Sequence, residues 1–196
     1  MTPHPEFDRL AAAVARCMPL AGAWAGDVFR FAIPRWATAA QLLTGAGALH
    51  AGGRWHPVGV FRAVYTTLDP ETALAESLAH YRRFGIAVRD AMPRTLNAVS
   101  VSLSRVLDLT AGAVRRHLVV SHARMLAEEW WVRQARDEEA VTQAIGRAVY
   151  AAGLEGLLVP SAARPGGRGL IFFPDNRSPG SVLTIVNPHE LPRRVP

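Results

Sequence analysis

Gly45–Tyr81, GAGALHAGGRWHPVGVFRAVYTTLDPETALAESLAHY, decides how the rest of the chain is read. The stretch runs as a glycine-rich loop, a strand, a turn and a helix. Gly52-Gly53 allows a tight turn or close approach of backbone to a ligand. Arg54 and Trp55 follow at once, a guanidinium fork beside a large aromatic plane, and Pro57 and Gly59 close the loop. From Phe61 to Leu68 the residues alternate, with Phe61, Ala63 and Tyr65 on one face and Arg62, Val64 and Thr66 on the other. Asp69-Pro70-Glu71 starts a helix, with Asp69 as N-cap and Pro70 in the first helical position. Glu76 lies in its second turn.

Working outward, Phe7–Met18 reads as a short helix stopped by Pro19. Val28–Ile33 reads as a strand with Phe29, Phe31 and Ile33 on a buried face and Arg30 presented opposite. Ala37–Leu43 is a weak helical turn. The helix from Pro70 runs to about Phe84 and ends at Gly85. Val99, Val101 and Leu103 alternate with serines in a half-buried strand, and a second apolar run, Val106–Leu109, follows. Ala113–Arg136 gives no clear pattern, and its Trp130-Trp131 pair reads equally as core or lid. Glu138–Ala152 is a helix whose apolar face is Val141, Ala144, Ile145, Ala148 and Val149. Short strands at Leu157–Val159, Gly169–Phe173 and Ser181–Val186 complete the chain before a loose arginine–proline tail. Helices interspersed with short strands, without regular βαβ repeats, indicate an α+β domain.

Composition bounds the function. At 196 residues and 49% hydrophobic content the chain can build a real core and is not disordered. All 22 basic residues are arginine, and the net charge of +6 suits an anionic ligand or an acidic partner. The arginines are scattered without aromatic interleaving, which argues against direct nucleic-acid binding. A single cysteine, Cys17, excludes an internal disulfide and suits a cytoplasmic location, and no zinc-ligand spacing exists. No apolar run reaches membrane-spanning length. Leu10–Ala25 imitates a signal peptide, but Asp8 precedes it, Arg16 interrupts it and the residues before it carry no excess of positive charge, which argues against that reading.

In order along the chain, Val28-Phe29-Arg30, Gly45-Ala46-Gly47, Gly52–Pro57, Val64-Tyr65, Ala73–Glu76 and Gly156–Ser161 resemble the pattern of the RES-domain family, named for an Arg, a Glu and a Ser. The match covers about residues 28 to 175 of a single domain, 1–196, with residues 1–25 as a helical extension. The resemblance implies an ADP-ribosyltransferase-like core: two splayed, mainly antiparallel sheets around a nucleotide cleft, flanked by helices. It implies an enzyme that cleaves NAD at the nicotinamide–ribose bond by hydrolysis or phosphorolysis, with no metal. It also implies a toxin restrained by an antitoxin of the Xre, helix-turn-helix type. A homodimer remains open. The alternatives are a protein ADP-ribosyltransferase and a catalytically silent binding module.

The same resemblance assigns Glu76, Arg30 and Ser161 as catalytic, and Arg30, Arg54, Tyr65, Glu76, Ser161 and His56 as the residues that hold NAD. Their chemistry suits that reaction. Cleavage passes through an oxocarbenium-like state that a carboxylate stabilises. Guanidinium forks match pyrophosphate, and an aromatic ring packs on nicotinamide. On pattern alone Glu76 belongs to a solvated helix face, Arg30 to an edge strand, Tyr65 to the core and Ser161 to a turn cap. The family reading instead places Arg30, Arg54, Tyr65, Glu76 and Ser161 in one cleft. Three positions depart from the family pattern. Phe31 stands where a tyrosine is common, His56 where asparagine is common, and Gly169 near where an asparagine begins the strand after the serine. His56 introduces a group that can titrate near neutral pH.

Overall fold

The computed structural model describes residues 1–83 and 85–192. Helix α1 spans Phe7–Cys17, and strand β1 spans Gly22–Ala32, so β1 begins six residues earlier than the hydrophobic pattern suggests. Helix α2, Ala46–Ala51, occupies ground expected to be loop. Gly45 in the left-handed region (φ 68°) turns the chain into it, over the backbone of Ala63, and the Ala-Leu content of AGALHA supports the helix. Strand β2 is Val64–Thr67 and helix α3 is Pro70–Arg83. Helix α4, Val88–Ala91, precedes the long strand β3, Thr95–Asp108, which merges the two apolar runs of the sequence. The unclear region resolves into three short helices: α5 (Gly112–Leu118), α6 (His122–Ala127) and α7 (Trp130–Ala135). Helix α8 (Val141–Ala151) and strands β4 (Gly156–Pro160), β5 (Arg168–Phe172) and β6 (Val182–Ile185) follow. The expected helix end at Phe84 and the last four residues of the tail lie outside the described residues.

The fold is mixed α+β. The strands pair in the order β1–β2–β5–β4–β3, and β3 pairs back onto β1, closing a five-stranded barrel. Only β3–β4 is parallel, and β6 adds to β3 beside β4. The sheet is thus one closed ring, not two splayed sheets. Closure removes the open edges that splayed sheets would leave. Alternate residues of all five strands fill its interior: Val28, Val64, Val99, Leu158 and Phe172 among them, with Leu42 packed against them.

The outward residues Ala63, Leu157, Val159, Ile171 and Phe173 pack under α1 and α8, where Leu10, Val14, Ile145 and Val149 are fully buried. β3 serves both layers. Its register against β1 shifts after Leu103, where three residues of β3 span two of β1. That bulge turns Val106 inward and Leu107 out toward the helices.

Candidate active site

The site stands on the outward face of β1, β2, β5 and β4. Phe29 pairs with Thr67, Tyr65 with Ile171, Thr67 with Gly169 and Gly169 with Val159, so these side chains share one surface. A cavity of about 540 Å³ opens over it. Arg30, Arg54, Tyr65, Glu76 and Ser161 all line this cavity, although they lie on two strands, a loop, a helix and a strand end. Trp130, Trp131 and Leu126 close the side that faces the glycine loop.

Glu76 owes its place to the start of α3. Asp69 accepts hydrogen bonds from the Thr72 N–H and hydroxyl, each at 2.8 Å, and this cap orients the helix. Burial works to raise the Asp69 pKa, but the two bonds from Thr72 and the nearby Arg164 outweigh it and hold the carboxyl below its ordinary range. One turn on, Glu76 is exposed at the cavity rim, so the solvated helix face and the cavity face coincide. The Ser161 hydroxyl donates to Glu76 Oε1 at 2.6 Å. Ser161 Oγ also accepts from the N–H groups of Ala163 (3.1 Å) and Arg164 (3.0 Å), so it caps its turn and touches the carboxylate at once. The bond to Glu76, with a longer one from the Ala163 N–H at 3.4 Å, fixes the same carboxylate oxygen.

Arg30 corrects the pattern of β1. The buried face carries Val28 and Ala32, and Arg30 lies with them, while Phe29 and Phe31 are half-buried against the cavity and Ile33 is exposed. Barrel closure decides the face: on β1 the interior is filled by Val28 and Ala32, and the two rings lie on the outer surface. The Arg30 Nη1 donates to the Leu42 carbonyl at 3.2 Å, and among the described residues no carboxylate pairs with it. Burial depresses the pKa of its guanidinium. A partly desolvated cation with no carboxylate partner favours an anionic ligand beside it.

Arg54 is more engaged than its loop position suggests. Its Nη1 donates to the carbonyls of Met125 (2.7 Å) and Glu128 (3.0 Å), with Leu126 at 3.5 Å. It therefore ties the segment before α7 to the glycine loop. At the other end of α7, Gln134 Nε2 donates to the Ala51 carbonyl at 3.0 Å, and Gln143 Nε2 bridges Gln134 Oε1 and the Gly53 carbonyl. The rings of Trp130 and Trp131 meet edge to face, 6.1 Å between centroids, and both are half-buried. They are cavity lining, the part of the site that sequence reasoning left undecided. The Trp-Trp pair was a visible signal, but its short helix has no periodicity to place it.

Tyr65 lines the cavity with its ring, and its hydroxyl is already in use. It accepts from the Trp55 N–H at 2.8 Å and lies 2.9 Å from His56 Nδ1. Burial pushes the phenol's pKa well above its ordinary value. His56 is fully buried and takes no place in the cavity lining. Its Nε2 lies 2.7 Å from the Ala48 carbonyl, and burial lowers its pKa below the ordinary 6.5, against the pull of that carbonyl. Gly169 does line the cavity, opposite Thr67. Among the described residues no group of three or more His, Cys, Asp or Glu gathers to hold a metal ion, and no helix is long and apolar enough to cross a membrane.

The model of the RES domain matches residues 27–193, nearly the whole chain. The chain belongs to the RES domain family. Among its relatives, the NAD(+) phosphorylase MbcT of Mycobacterium tuberculosis (strain ATCC 25618 / H37Rv) is 27% identical over 131 residues, 66% of this chain. That match spans 64% of MbcT's own length. The probable NAD(+) phosphorylase Rv3189 of the same strain is 29% identical over 153 residues, 70% of this chain and 68% of the relative. In structure, the RES-domain chain resembles a chain in the crystal of the M. tuberculosis MbcT–MbcA toxin–antitoxin complex, with a TM-score of 0.71. The superposition covers 94% of this chain and 97% of that one at 20% identity, and so speaks to the fold.

Proposed function

We propose that this RES-domain protein consumes NAD, breaking the bond between nicotinamide and ribose. The observation that carries the proposal is the convergence of Glu76, Ser161, Arg30, Arg54 and Tyr65 on one cavity, with Ser161 holding Glu76 at 2.6 Å. The C1′–N bond breaks and its electron pair leaves with neutral nicotinamide, so no general acid is needed. An oxygen of phosphate or water then bonds C1′, and a water nucleophile gives up its proton to solvent. Glu76 stabilises the cationic ribose, and Ser161 keeps the carboxylate aimed. Arg30, half-buried and with no carboxylate partner among the described residues, meets a phosphate or ribose oxygen. Tyr65 offers its ring, not its hydroxyl, to the nicotinamide. The RES relatives named NAD(+) phosphorylases favour phosphate as the acceptor. An ADP-ribosyltransferase-like use of the outer sheet face belongs to the same proposal.

Purified protein incubated with NAD, with and without phosphate, tests it. The expected products are nicotinamide with ADP-ribose phosphate, or with ADP-ribose when phosphate is absent. ADP-ribose attached to protein would point to a transferase. Intact NAD beside folded protein would overturn the proposal in favour of a silent binding module. An enzyme that drains NAD needs restraint, and an antitoxin of the Xre, helix-turn-helix type is the proposed partner. Expression alone should slow growth, Glu76→Gln should relieve it, and the antitoxin should restore growth by covering the cavity.

A further inference from the structure

We propose that His56 is a positioning residue: as a neutral imidazole carrying its proton on Nε2, it holds the Tyr65 hydroxyl and so fixes the aromatic floor on which the ligand's planar ring rests. The proposal deepens the NAD reading and rests on it for the ligand alone.

The tautomer follows from the partners. The Ala48 carbonyl only accepts, so Nε2, 2.7 Å away, carries the proton and donates to it. Nδ1 of a neutral ring is then an acceptor. The Tyr65 hydroxyl, 2.9 Å from it, donates there and in turn accepts from the Trp55 N–H at 2.8 Å. Every polar atom of the trio is satisfied in one direction only: Trp55 N–H to Tyr65 oxygen, Tyr65 O–H to His56 Nδ1, and His56 Nε2–H to Ala48. Gly53 seals the arrangement, because a Cβ there would stand 2.5 Å from the Tyr65 oxygen and 2.9 Å from the His56 ring. The Phe61 ring covers the imidazole edge to face, 5.8 Å between centroids.

A proton on Nδ1 would end this chain, since a cationic imidazole has no acceptor and the Tyr65 hydroxyl hydrogen would lose its partner. The surroundings discourage it. Helix α2 presents the Ala48 carbonyl, and α8 presents the amide of Gln143, 3.5 Å from the His56 carbonyl; neither ionises. The charged groups bearing on the pair act on Tyr65: Arg54 from the same loop and Glu76 from α3. His56 itself is shifted by burial and the Ala48 carbonyl.

Nitrogen NMR of the labelled parent tests the tautomer without any ligand. One histidine, missing from the spectrum of His56→Gln, should keep the neutral Nε2–H signature below the pH at which ordinary histidines protonate. An Nδ1–H tautomer, or titration at the ordinary value, would overturn the proposal. NAD titrations then test the consequence. His56→Leu removes the acceptor and should raise the KM for NAD about tenfold, the scale of one hydrogen bond, with kcat changed less. His56→Asn, whose amide oxygen stands near the place of Nδ1, should recover most of the loss. In a Tyr65→Phe background the His56→Leu effect should disappear, because the hydroxyl it holds is gone. An undiminished effect there means that His56 acts by packing and sinks the proposal. If His56→Leu does not fold, His56→Asn and the nitrogen signals decide. If the parent neither binds nor consumes NAD, the NAD reading fails, and the nitrogen signals still decide whether His56 holds Tyr65.

Discussion

Tyr65 and Trp131 both face the cavity, but they are held there by different means. Tyr65 lies on a strand with a ladder to β5, and its hydroxyl is locked by Trp55 and His56. Trp131 lies on a six-residue helix, α7, just after the equally short α6. Helices of that length have little stability of their own. This wall is placed by side chains reaching backbone carbonyls: Arg54 to Met125 and Glu128, Gln134 to Ala51, and Gln143 through Gln134. A floor built by strand pairing resists local change, while a wall hung from a few side chains can open at low cost. The two sides of the cavity thus differ in what holds them: a strand ladder on one, a few side-chain bonds on the other.

The largest effect should come from the rim of the floor. Glu76→Gln keeps the length of the side chain and the bond from Ser161 but removes the charge. NAD consumption should fall by about 10²-fold or more, the scale for one preorganised electrostatic partner, with melting temperature unchanged. Equal rates in parent and variant would return Glu76 to the status of a solvated helix residue.

Next is the junction of floor and wall. Gly53→Ala drives a methyl toward the Tyr65 oxygen at 2.5 Å and the His56 ring at 2.9 Å. Overpacking at such a place costs roughly 1–3 kcal/mol. Denaturant unfolding should show that loss, together with weaker NAD binding, since floor and loop are displaced together. A neutral outcome would mean that the floor is softer than its ladder suggests.

A smaller change separates wall from floor. Arg54→Ala removes the bonds to Met125 and Glu128, and bonds to a charged donor contribute about 1.5–3 kcal/mol. Part of that loss falls on local opening of α6–α7, not on global unfolding. Tryptophan fluorescence should report a more solvated wall, and KM should rise more than kcat falls. A drop in kcat alone would instead give Arg54 a direct part in the chemistry.

How much of this was legible beforehand follows the same division. The floor could be read, because strands announce themselves by alternation: Val99, Val101 and Leu103, or Phe61, Ala63 and Tyr65, declare a face. The α8 stripe was equally plain, and all five of its expected residues are buried. What alternation cannot reveal is which face is inside once a sheet closes. Arg30 therefore lies on the buried side of β1, and the two phenylalanines face the cavity. The wall was illegible, because helices of six residues have too few turns for a period, and their placement depends on Arg54, Gln134 and Gln143, distant in sequence. The hydrogen bond of His56 was hidden for the same reason: nothing in the sequence marks the Ala48 carbonyl as its partner.

The smallest expected effect is a slope in stability with pH, and it arises behind the floor and at the far end of the barrel. His56 has its pKa lowered in the fold, so the neutral form is the one the native state favours. Above its ordinary 6.5 the contribution is complete; as pH falls below that value the unfolded chain takes up the proton first, and stability is lost. Glu155 acts in a lower window. It is fully buried, and burial works to raise its pKa, but the Ser178 and Ser181 hydroxyls and the Ser104 N–H hydrogen-bond the carboxylate and carry it below the ordinary 4.5. Its contribution is present above that value and is lost as pH falls through it toward the folded pKa. Melting temperature should therefore decline from neutral pH in two stages, one beginning near the histidine range and one near the carboxylate range. His56→Asn should reduce the first stage, leaving the share of His4, whose pKa burial also lowers, and should leave the second. If the first stage survives that substitution unchanged, the proton is entering elsewhere, and the floor is not the pH-sensitive element.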